Sequence, residues 1–587
     1  MIGRLRTGAD GTRAAPRAAV LLALLALAAV PAALASPALA QTPGSSPAPG
    51  AARKGPDAVT VPPSTDRPPP GYRLTGAQAS RIADAVPKIR AARRSRRGTY
   101  AQPYLKGPPQ LRRWQISFYA PRASPTAAAE QIGQVIVDDR TGRVVEAWTG
   151  FQVAWTMARG YPGAFGRKVN APYVWLGLCA LFVLPFLRRP LRLLHLDVAV
   201  LLAFSVSYAS FGAAEIGVSV PSSYPLLLYL LARMLGIAFA RSRGKAPAAR
   251  PALRLAVPYS FLAIAIVFLV GFRVGLNVTN ANVIDVGYSG VIGADRLLDG
   301  RAVYGTFPPD NARGDTYGPA AYYAYVPFGI LWPWSGTWDD LPAAHGAAIA
   351  FDLASLALLF LVGRRIRGPA LGILLAYLWA AFPFTLLVAN SNANDALVSA
   401  LVLLALFVVA RPVGRGAVVA AAGLTKFAPL ALAPLVATYR GGARAGEWQE
   451  DGRLVRPAVL TALGLGVAGA VLLAPVLLAG DVRLFYDRTL GFQGERGSPF
   501  SVWGLYDLPA AVQTAVQVAG AALAVVLAFL PRRRDVVVLA ALGAAVLIAL
   551  QLGVTHWFYL YIVWFLPLVL IALLGSHEAP APAPRLL

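Results

Sequence analysis

The sequence predicts an all-α polytopic membrane protein that carries a small α+β domain at its N-terminus, outside the membrane. Three observations predict it. Apolar runs long enough to cross a bilayer succeed one another between residues 171 and 575, separated by short arginine-rich loops. Of 587 residues, 57% are hydrophobic and only 14% charged, where a soluble protein of this size carries roughly a quarter. The chain also begins like an exported protein. Helices can stand in lipid because they satisfy their own backbone hydrogen bonds. The net charge of +26 raises the question of nucleic acid, but the aromatic and basic alternation of a single-strand binder is missing. Many arginines instead abut apolar runs, as topology determinants and headgroup contacts do. The single cysteine, Cys179, lies inside an apolar run, so neither an intrachain disulfide nor a cysteine metal cluster is possible.

Taken in order, residues 1–40 read as a signal peptide. Arg4, Arg6, Arg13 and Arg17 precede the apolar stretch 18–35, and Ala38-Leu39-Ala40 supplies an A-x-A cleavage site. Residues 41–70 are rich in Pro, Ala, Gly and Ser without a hydrophobic period, which predicts a disordered tether. The texture changes over 71–152. A helix is expected over 77–92, with Ile82, Val86 and Ile89 on one side, and a strand at 114–119. A hairpin is expected over 134–148, turned by Asp138-Asp-Arg-Thr-Gly142. A helix followed by V-x-x-D-x-x-T-G-x-V, here Val135 to Val144, resembles a PepSY-like domain, which implies a small α+β module outside the membrane.

With that module outside, the positive-inside rule orients the spans. They are expected near 171–187, 195–215, 222–240, 254–274, 343–362, 369–388, 396–410, 457–479, 510–530, 535–553 and 557–574, about eleven in all. Two pieces do not fit as crossings. Residues 320–334 are short and interrupted by Pro327 and Pro333. Residues 416–438 have basic residues at both ends and Lys426-Phe-Ala-Pro429 in the middle. Both read as re-entrant segments, which leaves 576–587 as a cytoplasmic tail.

This orientation gathers four polar segments on the outer face: 282–317, 390–395, 481–507 and 555–557. Carboxylates beside a span cost free energy and usually have a reason. Nucleotide-linked donors are cytoplasmic, so outer-face chemistry needs a donor already carried across, such as a sugar on a polyprenyl phosphate. Its transfer requires a carboxylate to take the acceptor's proton and fixed cations for the departing phosphate.

The resemblance then becomes more specific. Asp285-x-x-Tyr288 followed by 295–304 (Asp-Arg-Leu-Leu-Asp-Gly-Arg-Ala-Val-Tyr) resembles the first outer loop of glycosyltransferase family 87, a family of C-type membrane glycosyltransferases. The segment Tyr317 to Pro327 resembles that family's Tyr-x-Pro segment, and Gly423 to Pro429 its Lys-x-x-Pro hairpin. The turn 390–395 stands where the family often has an Asn-Gly-Gln-like motif, here replaced by Asn-Ser-Asn-Ala-Asn. The likeness spans roughly residues 255–575. It implies a plasma-membrane enzyme that moves a sugar, mannose above all, from a polyprenyl-phosphate donor to a cell-envelope glycolipid or polysaccharide.

Asp285 is then the candidate catalytic base, with Asp295 next. The candidate substrate-binding residues are Tyr304, Tyr317, Asn390, Asn394, Asp395, Lys426, Arg483, Arg488, Gln493, Arg496 and His556. Among these, Arg483, Arg488 and Arg496 form the expected phosphate site, flanked by Phe485, Tyr486, Phe492, Phe500 and Trp503. For each residue a plainer role stands beside the functional one: a loop acid for Asp285, a turn for Asp299-Gly300, a solvated face for the arginines, an aromatic belt around His556. No organic cofactor or metal-ligand cluster is expected, and a divalent cation is left open. Membrane lipid, the lipid-linked donor and a glycan acceptor are the expected partners, and nucleic acid is not. A transporter or flippase of lipid-linked glycans, and a membrane scaffold that holds cell-wall polymer, fit the same outline. Deletion of residues 41–170 separates scaffold from enzyme, which is expected to retain transfer.

Overall fold

The computed structural model describes residues 59–107, 111–121, 129–188, 192–243, 251–338, 341–448, 455–506 and 508–578. The expected signal peptide, most of the tether and most of the C-terminal tail lie outside these residues. Within them the chain forms a small antiparallel sheet domain followed by a mostly helical body.

The N-terminal domain is a five-stranded antiparallel meander, β1 (Val59–Thr60), β2 (Tyr100–Lys106), β3 (Arg113–Tyr119), β4 (Gln131–Asp138) and β5 (Val144–Thr149), with two helices, α1 (Gly76–Asp84) and α2 (Pro87–Arg94). Alternation in β3 turns Trp114, Ile116 and Phe118 toward Ala79, Ala83 and Ile89 of the helices. Asp139, in the predicted turn, is a buried anchor. It accepts hydrogen bonds from the Trp114 indole at 3.0 Å and from the Arg73 and Leu74 backbone N–H groups. The single helix expected over 77–92 is two, because Pro87 pushes Val86 into an extended conformation and starts a new helix. Strand β2 was not expected. Its Pro103 lies beyond the reach of β1, which pairs only with Leu105 and Lys106, and stands opposite Ile116 of β3. Since β1 is paired, the last part of the expected tether is ordered.

The body contains α3 (Pro172–Val183), α4 (Leu193–Gly212), α5 (Ile216–Ser242), α6 (Tyr259–Asn280), α7 (Asp285–Leu298), α8 (Pro342–Arg367), α9 (Pro369–Ala381), α10 (Pro383–Asn390), α11 (Asp395–Phe407), α12 (Pro412–Gly423), α13 (Val455–Ala479), α14 (Ala510–Phe529), α15 (Val536–Leu552) and α16 (Ile562–Leu574). Among the described residues, six of these (α4, α5, α6, α8, α13 and α14) are long and apolar enough to cross a membrane, or up to seven if α9 and α10 form one bent span. The sequence count of eleven also includes α3, α11, α15 and α16, which are shorter. Those differ in burial as well as length. Helices α15 and α16 are buried along almost their whole lengths, whereas α13 leaves most of its surface exposed. Apolar residues facing outward along α13 are what a lipid-facing helix requires.

Two breaks in the helices shape the site. Helices α9 and α10 meet at a 60° bend at Pro383. The carbonyls freed there are taken up by side chains: Thr385 Oγ1 donates to the Trp379 and Phe382 carbonyls, and Arg273 Nη1 donates to the Ala380 carbonyl. Arg273 is itself paired with Asp352, which also accepts from the Trp379 indole at 2.9 Å. The second break is the expected hairpin. Helix α12 ends at Gly423, the chain turns through Thr425 and Lys426, and returns through residues 428–432 and the short helix Ala433–Ala437. At its base Arg415 donates to the Val409 and Ala437 carbonyls, while its tip meets the first residue of α11. Residues 320–334 likewise form two short helices, Pro319–Tyr323 and Val326–Leu331, rather than one crossing.

Candidate active site

Asp285 is the first residue of α7, where the helix N-terminus favours a carboxylate. Its position is set by backbone pairing, Asn282 N–H to the Asn390 carbonyl and Ile284 N–H to the Ser391 carbonyl, both at 3.2 Å. The two segments lie so close at Gly287 that a Cβ there would stand 2.2 Å from the Asn392 carbonyl oxygen, so only glycine fits. The side chain of Asp285 is open to solvent. Desolvation nonetheless raises its pKa above the usual carboxylate value, with the Arg496 guanidinium, the Val286 N–H and the Lys426 ammonium acting the other way. The open carboxylate borders a recess lined by Tyr317, Tyr561 and Lys426, whose rings and ammonium lie together and whose charges interact with it.

The wall opposite is the hairpin tip. Lys426 is 8% exposed and its Nζ lies 2.7 Å from Asp395 Oδ1, which also accepts from the Trp564 indole at 2.8 Å. Three rings box the ammonium, those of Tyr317, Tyr561 and Trp564, at 5.3–5.4 Å. Tyr561 and Trp564 stack on each other with centroids 4.3 Å apart. Arg496 completes the set, since its charge is felt at Asp285, Tyr317, Tyr561 and His556. His556 is held by Ser498, whose Oγ lies 2.9 Å from Nδ1. Desolvation, then Arg496 and Lys426, depress its pKa well below the ordinary value, so the ring is neutral at pH 7. Two acids, Asp285 and Asp395, thus face two cations, Lys426 and Arg496, across aromatic walls.

The structure brings together Asp285, Tyr317, Asp395, Lys426, Arg496 and His556 from the sequence-predicted set. Tyr304 stands behind them, donating from its hydroxyl to the Tyr317 carbonyl at 2.9 Å. Asn394 adjoins Asp395, fully buried, and neither of its amide atoms has a partner among the described residues. Asn390 does not face the recess as a free ligand. Its Nδ2 donates to the Gly166 and Asn280 carbonyls and pins the chain that leads to Asp285.

The rest are not part of the recess. Asp295 lies ten residues along α7, about 15 Å further on, paired with Arg296 and Arg301. That pairing secures the end of the helix, and Asp295 is not a second base at the recess. Of the three arginines expected around one phosphate, only Arg496 is there. The Arg483 side chain is 96% exposed and Asp487 is 3.9 Å away. Arg488 is spent on Asp315 at 3.5 Å and the Ala312 carbonyl. Gln493 donates to Thr316 Oγ1 at 2.9 Å and ties two loops together. Tyr561 and Trp564 are not among the residues expected from sequence, and Tyr561 belongs to the aromatics around His556 that also suit a membrane interface. Their i, i+3 spacing, which puts both on one helical face, was the available signal.

In comparisons with known proteins, no family model matches this chain and no curated protein matches it. Among the described residues no group of three or more His, Cys, Asp or Glu is placed to hold a metal ion.

Proposed function

We propose that the protein is a membrane glycosyltransferase that moves a sugar, mannose above all, from a polyprenyl-phosphate donor to a glycolipid or polysaccharide of the cell envelope. The reading places it in the plasma membrane with about eleven crossings and two re-entrant segments, and with the recess and N-terminal domain on the outer side. The observation that carries it is the recess itself: an accessible carboxylate facing one buried and one partly buried cation between aromatic walls.

The charges support a simple transfer. Before a ligand enters, Asp285 and Asp395 balance Lys426 and Arg496. In the reaction the acceptor hydroxyl gives its proton to Asp285 as its oxygen attacks the anomeric carbon. The bond from that carbon to the phosphate oxygen breaks, and the polyprenyl phosphate leaves with the electron pair. Asp285 becomes neutral as the phosphate gains a negative charge, so Arg496 is released from one anion as another forms beside it. A raised pKa suits Asp285 to this step, because a base is most effective when its pKa lies nearer the working pH. Neutral His556 adds a hydrogen-bonding group without adding a charge.

The test is direct. Purified protein is incubated with polyprenyl-phosphomannose and envelope glycolipids, and products are examined for a new glycosidic linkage. Release of polyprenyl phosphate coupled to a new linkage supports the reading. Intact donor translocated across proteoliposomes without any transfer overturns it in favour of a flippase.

A further inference from the structure

The sequence outline treats residues 41–170 as separable from the membrane body. The structure does not. Residues 151–170, which join the N-terminal sheet to α3, are threaded through the framework of the recess. Gly166 N–H donates to Asn282 Oδ1 at 2.7 Å, and the Gly166 carbonyl accepts from Asn390 Nδ2. Gly160 touches Gly212 so closely that a Cβ would stand 2.8 Å from its carbonyl oxygen, and Gln152 Nε2 donates to that same oxygen at 3.2 Å.

One contact of this connector reaches the site loop. The stacked rings of Phe151 and Trp155 both pack on Phe500, at 6.2 and 4.8 Å between centroids. Phe500 packs on His556 at 5.6 Å, and its N–H donates to Ser498 Oγ, the group bonded to His556. The loop beyond is pinned, Val502 N–H to Tyr224 Oη and the Trp503 indole to the Leu552 carbonyl. The loop before is tied at Gln493, which donates to Thr316 Oγ1, and between the two ties a Cβ added at Gly494 or Gly497 would meet nothing within 4 Å. Ser498 and Phe500 are therefore the fixed points that follow Arg496 most closely in the chain, as Gln493 is the one that precedes it.

On its other side the connector grips the sheet. Arg159 lies over the Trp148 ring of β5, 4.0 Å from Glu146, and donates to Gln134 Oε1 of β4 and to the Gln152 and Val153 carbonyls.

We propose that Trp155, backed by Phe151, is a positioning residue for Arg496 and His556, and that through Arg159 it couples the N-terminal domain to the recess. The value of that position to a phosphate rests on the glycosyltransferase reading; the coupling does not.

The full-length protein in proteoliposomes is treated briefly with trypsin, and mass spectrometry follows cleavage after Arg496 relative to cleavage after Arg483. Arg483 is freely exposed and remote from the clamp, so it serves as the internal reference. Trp155→Ala is expected to raise the ratio about three- to tenfold, the worth of a lost aromatic contact to local opening. Trp155→Phe should leave it at the wild-type value. Arg159→Ala, which removes contacts to β4, β5 and the connector, should raise it in the same direction. If Trp155→Ala fails to fold, Phe151→Ala replaces it with a smaller expected rise. An unchanged ratio in the alanine variant that folds overturns the clamp. A rise with Trp155→Ala and none with Arg159→Ala overturns the coupling to the domain. Neither readout needs sugar transfer, so either result stands apart from the outcome of the transfer assay.

Discussion

Two segments of this protein carry cations toward the same recess, and they hold them differently. The hairpin formed by α12 and its return brings one cation, Lys426, into the interior, paired with Asp395 and boxed by three rings. The loop after α13 offers three arginines and commits one. Arg483 stands in solvent, Arg488 is spent on Asp315, and Arg496 alone turns to the recess. The difference is one of solvation. A buried ammonium must be paired because water no longer stabilises it, so its geometry is well determined. An exposed guanidinium is stable in water almost anywhere, so its sequence position says little about its use.

The sharpest way to break this comparison is at the acid both segments face. Asp285→Asn keeps the shape of the side chain but cannot accept a proton, so turnover should fall about 10²–10⁴-fold while donor binding and Tm persist. Turnover and melting of the same purified variant decide it: near-normal turnover would remove Asp285 from the chemistry. The wild-type pH profile gives a second reading. Only ionised Asp285 is a base, so turnover should rise with pH through its pKa. Because desolvation raises that pKa, the acid limb should lie above the range of an ordinary carboxylate, near pH 4. An acid limb at or below that value would mean that Asp285 is solvated.

The next effect belongs to the hairpin. Lys426→Met strands Asp395 as a buried uncompensated charge and should cost about 3–5 kcal/mol of stability. Adding Asp395→Leu should recover much of the loss, since a buried pair replaced by apolar groups is often neutral. No recovery in the double variant would mean that Lys426 holds the hairpin by some contact other than this pair.

Smaller effects are expected in the loop, and they should be unequal. Arg496→Ala should raise the apparent KM for a lipid-phosphate donor by about 1.5–3 kcal/mol. Arg488→Ala should leave KM alone and lower Tm slightly through the loss of Asp315, and Arg483→Ala should change stability by about 0.5 kcal/mol or less. Equal KM effects from all three would restore the single phosphate cluster expected from sequence.

The smallest effect is a pH dependence of stability. His556 is neutral in the folded protein, with its pKa far below the unfolded value of about 6.5. Its contribution to stability is therefore present above about pH 6.5 and is lost as pH falls, because the unfolded chain then binds the proton that the fold excludes. His556→Gln should flatten the decline in Tm between pH 7 and 5. An unchanged slope would place the acid sensitivity elsewhere.

The sequence by itself determined the helical body, the small N-terminal sheet domain and their order, though not strand β2 or the division of the first helix at Pro87. Apolar length located most of the helices, although the single span expected over 369–388 is bent at Pro383, and the arginine-bounded hairpin was legible because charge at both ends of a short apolar piece admits few solutions. Asp285 and Lys426 were legible for a related reason: ionisable groups beside apolar sequence are expensive, so they stand out. Only the tertiary structure decided which polar residues share a space. Asp295 and Arg488 look as functional in sequence as Asp285 and Arg496, yet Asp295 is taken up by Arg296 and Arg301 beside it and Arg488 by Asp315, 173 positions away, where no local pattern specifies it. Nor does any local pattern show that residues 151–170 are woven into the site, because the groups they meet, Gly212, Asn282, Asn390 and Phe500, become neighbours only when helices far apart in the chain pack together. Helical periodicity and hydropathy act over a few residues, whereas desolvation acts on whatever the fold encloses.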